Sequence, residues 1–113
     1  MNIQIFGTKK CRDTQKAERF FKERKIPYHF RDLTEKGISK GELENINGVI
    51  SLDELIDKEG KQFKNRGFEF MIYDIEAELL EDSLLLKTPI VRNGSLATVG
   101  YQSLMWTEWL SAK

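Results

Sequence analysis

The sequence predicts one small α/β domain over residues 1–113, a mixed four-stranded sheet with a helical insertion at about 34–86. Three observations carry this prediction. A strand-like run, a helical pattern and a second strand-like run follow one another within the first 31 residues. The middle of the chain places Leu and Ile at three-to-four spacing and never alternates. A late segment, PIVRNGSLATVGY, carries a hairpin signal and leads into a last helical pattern.

Each element can be justified in order. IQIF (3–6) is an apolar run that stops at Gly7, as a buried strand does at a turn. Asp13 or Thr14 can cap a helix that reaches about Lys25, with Ala17, Phe20, Phe21 and Arg24 at helical spacing. Pro27 closes that helix, and YHFR (28–31) alternates like a strand. Parallel neighbours need a crossover of about a dozen residues, and this helix supplies it.

The stretches LTEKGISKGELENI, SLDELIDKEG and YDIEAELLEDSLLL make the insertion helical, with Ser39 and Ser51 as caps and Glu54 completing a capping box at Ser51. Two β-rich runs then flank Asn93-Gly94, a two-residue hairpin signal. Tyr101 to Leu110 sets Leu104, Met105, Trp106, Trp109 and Leu110 on a final helix covering the sheet. The order β-α-β, helices, β-β-α is the thioredoxin topology with an insert.

Composition narrows the function classes. Hydrophobic residues make up 40% and charged residues 32%, enough apolar content for a core without a metal or disulfide staple. With one cysteine, no internal disulfide and no multi-cysteine zinc site can form, and a reducing cytoplasm is the expected location. The N-terminus has no signal-peptide pattern, and no run approaches the length of a membrane span. Net charge is zero but polarised: residues 9–32 hold nine Lys/Arg against four Asp/Glu, and residues 42–86 hold four against twelve. Basic residues interleaved with acids do not form a nucleic-acid footprint.

The lone cysteine lies in TKKCRDTQKAERFF, at the start of the first helix. A thiol reacts as the thiolate, and a free cysteine of pKa about 8.5 is mostly protonated at neutral pH. The helix N-terminus and the cations Lys9, Lys10 and Arg12 are expected to lower that value, with Asp13 opposing them. Thr14, three residues on, holds the second position of a CxxC pair, where a hydroxyl can donate to the thiolate.

The block FGTKKCRDTQKAERFF, the proline-led second strand, the insert, and TPIV followed by VGY resemble the arsenate-reductase-like (ArsC/Spx/YffB) family over essentially the whole chain. The resemblance implies a thioredoxin-like fold with Cys11 as the nucleophile of the first loop. It implies a thiol-dependent reductase linked to glutathione or glutaredoxin, with glutathione or another thiol as co-substrate and no bound cofactor or metal. Pro89 falls at the cis-proline position, so that Thr88 would offer backbone groups to an extended partner.

Arsenate itself is not the expected substrate. The family's oxyanion arginines fall at Glu59, between Lys58 and Lys61, and at Thr88, after Lys87. A carboxylate repels an oxyanion, and lysine lacks the bidentate fork of arginine. Lys9, Lys10, Arg12 and Lys87 are the cations left to draw an anionic partner such as glutathione.

The alternative implied by the resemblance is a Spx-like regulator that binds the C-terminal domain of the RNA polymerase α subunit, with Gly48 and the 51–57 helix at the contact. Thr14 at the second-cysteine position excludes the disulfide switch of such proteins. His29, the only histidine, sits on an alternating strand and reads as solvent-facing, and Trp106 and Trp109 read as core.

Overall fold

The first strand is apolar on both sides because both of its faces are covered. In the computed structural model, which describes residues 1–111, β1 (Ile3–Gly7), β2 (Tyr28–Asp32), β3 (Ile90–Asn93) and β4 (Leu96–Val99) form one sheet in the order β2-β1-β3-β4. β1 runs parallel to β2 and antiparallel to β3, and β3 runs antiparallel to β4. The crossover between the parallel strands is α1 (Arg12–Glu23).

Successive residues of β1 point to opposite faces. Ile3 and Ile5 pack with Ala17, Phe20 and Phe21 of α1, with Val91, and with Trp106 and Trp109 of α6 (Ser103–Ser111). Phe6 joins Ile90 in the core beneath the insertion. Trp106 meets Phe20 and Phe21 at 5.3 and 5.4 Å between ring centroids, and its Nε1–H donates to Thr98 Oγ1 at 2.8 Å. Its buried polar atom is therefore satisfied, and both tryptophans belong to the core. Leu104 and Met105 do not cover the sheet as expected. The helix begins at Ser103, its inward residues are 106 and 109, and Leu104 is left 85% exposed.

The insertion is helical, in short pieces: α2 (Lys40–Asn47), α3 (Leu52–Leu55), α4 (Lys61–Asn65), α5 (Ile75–Glu81) and two 3-10 turns at Phe68–Phe70 and Ser83–Leu85. The full capping box forms at Ser39 and Glu42, and Arg31 grips the same carboxylate with both of its terminal nitrogens at 3.0 Å. At Ser51 only the cap bond from the Glu54 amide to the serine hydroxyl is made, a correction to the expected box. The insertion closes on itself through a β-bridge between Ile56 and Leu86.

Two boundaries differ from the sequence reading. The hairpin pairs Asn93 with Leu96, so its two loop residues are Gly94 and Ser95, with Gly94 at φ 60°. Glycine at the first loop position suits the strand twist, and the asparagine remains in the ladder. α1 ends at Glu23 and is closed by Lys25 in the left-handed region at φ 58°, before Pro27 is reached. The Lys25 and Ile26 amides donate to Lys22 O and Phe21 O at 3.0 and 2.9 Å, which satisfies the last carbonyls.

Among the described residues, no helix is long and apolar enough to cross a membrane. A side chain at Lys25 costs about 1 kcal/mol in that backbone region. Lys25→Gly is therefore expected to raise stability by about 1 kcal/mol. A urea midpoint that stays put or falls would contradict this account of the helix end.

Candidate active site

Three residues separate the end of β1 from the cysteine, and the loop they make is closed by hydrogen bonds. The Cys11 amide donates to Thr8 O at 3.2 Å, and Gln15 Nε2 donates to Lys9 O at 2.6 Å. Cys11 has extended backbone at φ −75°, ψ 119°, and its carbonyl accepts the first helical bond from Gln15 N at 3.0 Å. It is itself the N-cap of α1, two or three residues earlier than Asp13 or Thr14, where the sequence placed the cap. The consequence is chemical: the half-buried sulfur sits at the end of the helix where amides are unpaired.

The opposite wall comes from the far end of the chain. Lys87 N donates to Leu55 O at 2.7 Å, and Gly100 N donates to Pro89 O at 2.8 Å. Thr88 is held between these two anchors, and the Thr88–Pro89 bond is cis. Its hydroxyl donates to Cys11 Sγ at 3.1 Å, while the thiol faces Thr88 O at 3.8 Å. Beyond that contact, Thr88 N–H and C=O have no main-chain partner among the described residues.

Gly7 contributes by having no side chain. A Cβ there would lie 2.6 Å from Thr14 Cγ2, so the threonine occupies the space a side chain would fill. Thr14 is fully buried, and its hydroxyl has no settled hydrogen-bond partner. Sequence reasoning read Gly7 only as a turn; a small residue ending a buried strand four positions before the thiol was the available signal.

Burial raises the Cys11 pKa and is the largest single influence, but the donors together outweigh it. The Thr14 and Thr88 hydroxyls and the backbone amides of Thr14 and Asp13 favour the charged sulfur, and the net shift is downward. The expected direction holds, and so do the expected parts of the helix start and the Thr14 hydroxyl; the cations are corrected, since Lys9, Lys10 and Arg12 are not among the causes. Asp13 acts favourably through its amide.

The cations point elsewhere. Lys9 helps hold Asp32 below the usual carboxylate range, after the larger effect of the Thr34 hydroxyl and amide. Lys9 and Lys10 line a cleft of about 410 Å³ with Thr8, Asp32, Thr34 and Glu35. Lys87 is exposed and contributes to lowering Asp53, behind the main effect of Lys58. Arg12 is exposed, as is His29 on β2.

The family's arginine places are empty of guanidinium. Glu59 is exposed on a turn, and Thr88 stands at the sulfur. Arg66, the insertion's own arginine, is paired with Asp82 at 2.8 Å and Glu78 at 3.2 Å. Among the described residues, no three His, Cys, Asp or Glu side chains converge to hold a metal.

The profile of the ArsC family matches residues 6–109. The chain belongs to the ArsC family. No curated protein matches it closely enough to be called a relative. Among solved structures it is similar to a YffB protein, at 20% identity over 94% of this chain and 96% of that one, with a TM-score of 0.83. A putative ArsC-family-related protein from Bacteroides fragilis matches at 20% identity over 96% and 97%, TM-score 0.82. An arsenate reductase from Vibrio cholerae matches at 18% identity over 96% and 97%, TM-score 0.79. At these identities they show the fold, and the thioredoxin-like α/β sheet with a helical insertion stands.

Two outcomes follow for this ArsC-family thiol. Alkylation of Cys11 by iodoacetamide against pH should give an inflection below the roughly 8.5 of a free cysteine, and Thr88→Val should move it upward. An inflection at or above the free value would contradict the donor geometry. Gly7→Ala should displace Thr14, raise the same inflection and lower the unfolding midpoint. Were neither quantity to change, the Gly7 and Thr14 packing would have no bearing on the sulfur.

Proposed function

We propose that this ArsC-family chain is a thiol-dependent reductase in which Cys11 is the only nucleophile and a separate thiol, glutathione or one carried by a glutaredoxin, regenerates it. The Thr88 hydroxyl donating to a half-buried sulfur at the N-cap of α1, beside the buried Thr14, carries the reading. Such an arrangement favours a thiolate without a neighbouring base.

In the proposed cycle the Cys11 thiolate attacks one sulfur of a partner disulfide. The Cys11–S bond forms, the partner's S–S bond breaks, and the departing thiolate takes a proton from solvent. Because the chain has one cysteine, the next attack comes from outside. A first glutathione thiolate attacks the Cys11 sulfur and displaces the partner's remaining thiolate. A second attacks the glutathione sulfur, and oxidised glutathione leaves as Cys11 returns to thiolate. Two glutathione thiols are oxidised for each disulfide reduced.

Thr88 has two tasks in this scheme. Its hydroxyl stabilises the thiolate, and its backbone N–H and C=O, which have no main-chain partner among the described residues, can pair with an extended partner chain whose sulfur meets Cys11. Pro89 is buried behind it and keeps the loop against the sheet. Lys9, Lys10, Arg12 and Lys87 serve an anionic partner at longer range, through the field around the loop rather than by contact with sulfur.

Arsenate is not the proposed substrate, because the oxyanion lacks guanidinium forks at Glu59 and Thr88. A regulator bound to the RNA polymerase α subunit would leave the Thr88 hydroxyl on the sulfur without a task. The alternatives separate on one variant. Cys11→Ser should abolish glutathione-dependent reduction of a small mixed disulfide, followed by coupled NADPH oxidation through glutathione reductase. Full turnover by the variant, or binding to the polymerase α domain without any reductase activity in the native chain, would refute the proposal.

A further inference from the structure

A cleft away from the sulfur also carries chemistry. It holds about 570 Å³ between α1 and α6, and its walls include Lys16, Arg19, Glu23, Arg24, Phe20 and Tyr101. Three cations face one carboxylate there. None of the three is in an ion pair among the described residues, whereas Arg31, Lys58 and Arg66 all are. Instead, Arg24 lies over the Phe20 ring at 3.7 Å and Lys16 over the Tyr101 ring at 5.8 Å. Stacking against aromatic rings keeps such groups in the cleft while leaving N–H donors for a ligand.

The cleft shares α1 with the thiol. Lys16 is five residues after Cys11 on α1, about 8 Å along the axis. Tyr101 follows Gly100, whose amide donates to Pro89 O at 2.8 Å beside Thr88. From Lys16 to Arg24 the cationic wall runs about 12 Å, the reach of about four residues of extended chain. A small anion would meet one of these cations and leave the others unpaired; a peptide with spaced carboxylates meets several.

We infer that the α1–α6 cleft is a docking surface for an acidic extended segment of the protein whose cysteine or disulfide reacts with Cys11. This rests on the thiol-exchange reading above and adds the partner's chemistry: carboxylates about two to four residues from its reacting cysteine. A segment entering along Thr88 would place those carboxylates opposite Lys16 and Arg19.

The test uses the full chain and synthetic heptapeptides with one cysteine activated as a 2-pyridyl disulfide, flanked by Glu in one peptide and Gln in the other. Thiopyridone release should be on the order of tenfold faster for the Glu peptide at low salt, and 0.5 M salt should erase the difference. In a Lys16→Glu, Arg19→Glu chain the Glu-to-Gln rate ratio should fall to about one or below. Both residues are exposed, so the variant should fold, which circular dichroism would check.

A second arm reads the cleft without the thiol. A dye-labelled Glu peptide with Ser in place of Cys should bind the Cys11→Ser chain by anisotropy, and the charge-reversed chain should lose that binding. If the thiol proves inert but anisotropy behaves this way, the reductase reading fails and the cleft stands. Equal rates for the two peptides together with no anisotropy change would overturn the inference. So would an acidic preference that survives charge reversal, since it would then belong to the Lys9 and Lys10 loop.

Discussion

The hydroxyl of Thr88 reaches the sulfur of Cys11 across 77 residues of chain, and that bond depends on nearly every other part of the fold. A free hydroxyl would donate to water. Here it donates to sulfur because the insertion delivers Leu86 and Lys87 to Ile56 and Leu55 by backbone pairing, and because β4 returns Gly100 to Pro89. The insertion thus has a mechanical task beside any contact it makes: it closes a long loop so that one threonine arrives at one place. Its core, reaching from Phe6 through Leu43, Ile46 and Leu79 to Ile90, supplies the apolar burial that offsets the entropy of that closure.

The second wall of the site is local and follows from helix physics. The N-terminal amides of a helix have no internal partners, and a sulfur at the N-cap is the group nearest to receive them. The Cys11 side chain makes no formed cap bond, and the Thr14 and Asp13 amides favour its charged form as nearby dipoles at the helix start. Thr14 adds a hydroxyl because Gly7 leaves it room. Short-range donors act at close contact in a partly desolvated place, where they outweigh exposed ammonium groups that water screens. This is why the basic residues around the cysteine, prominent in the chain, are absent from the causes of its shift.

The two ends of the charge distribution then take different meanings. The acidic insertion spends several carboxylates on internal tasks, with Glu42 in its capping box and Arg31 pair, and Glu78 and Asp82 on Arg66. The basic first helix and its C-cap keep Lys16, Arg19 and Arg24 outside any ion pair among the described residues, along a cleft on the helix that the thiol caps. Charge paired within the fold contributes to its geometry, and charge left unpaired beside a reactive atom contributes to the choice of partner.

Much of this was determined by the chain alone. The β-α-β opening, the helical middle, the hairpin followed by a Trp-bearing helix, the place of the thiol and the direction of its pKa shift were all legible, because each depends on periodicity or on neighbours within a few residues. Tertiary structure decided the rest. That Cys11 itself is the cap and that Gly7 makes room for Thr14 depend on how strand, loop and helix pack, and that Lys9 and Lys87 act on Asp32 and Asp53 and that Thr88 donates to sulfur depend on contacts between distant segments. Residue type sets what a side chain can donate, but the packing of the sheet against its insertion determines which atom receives it.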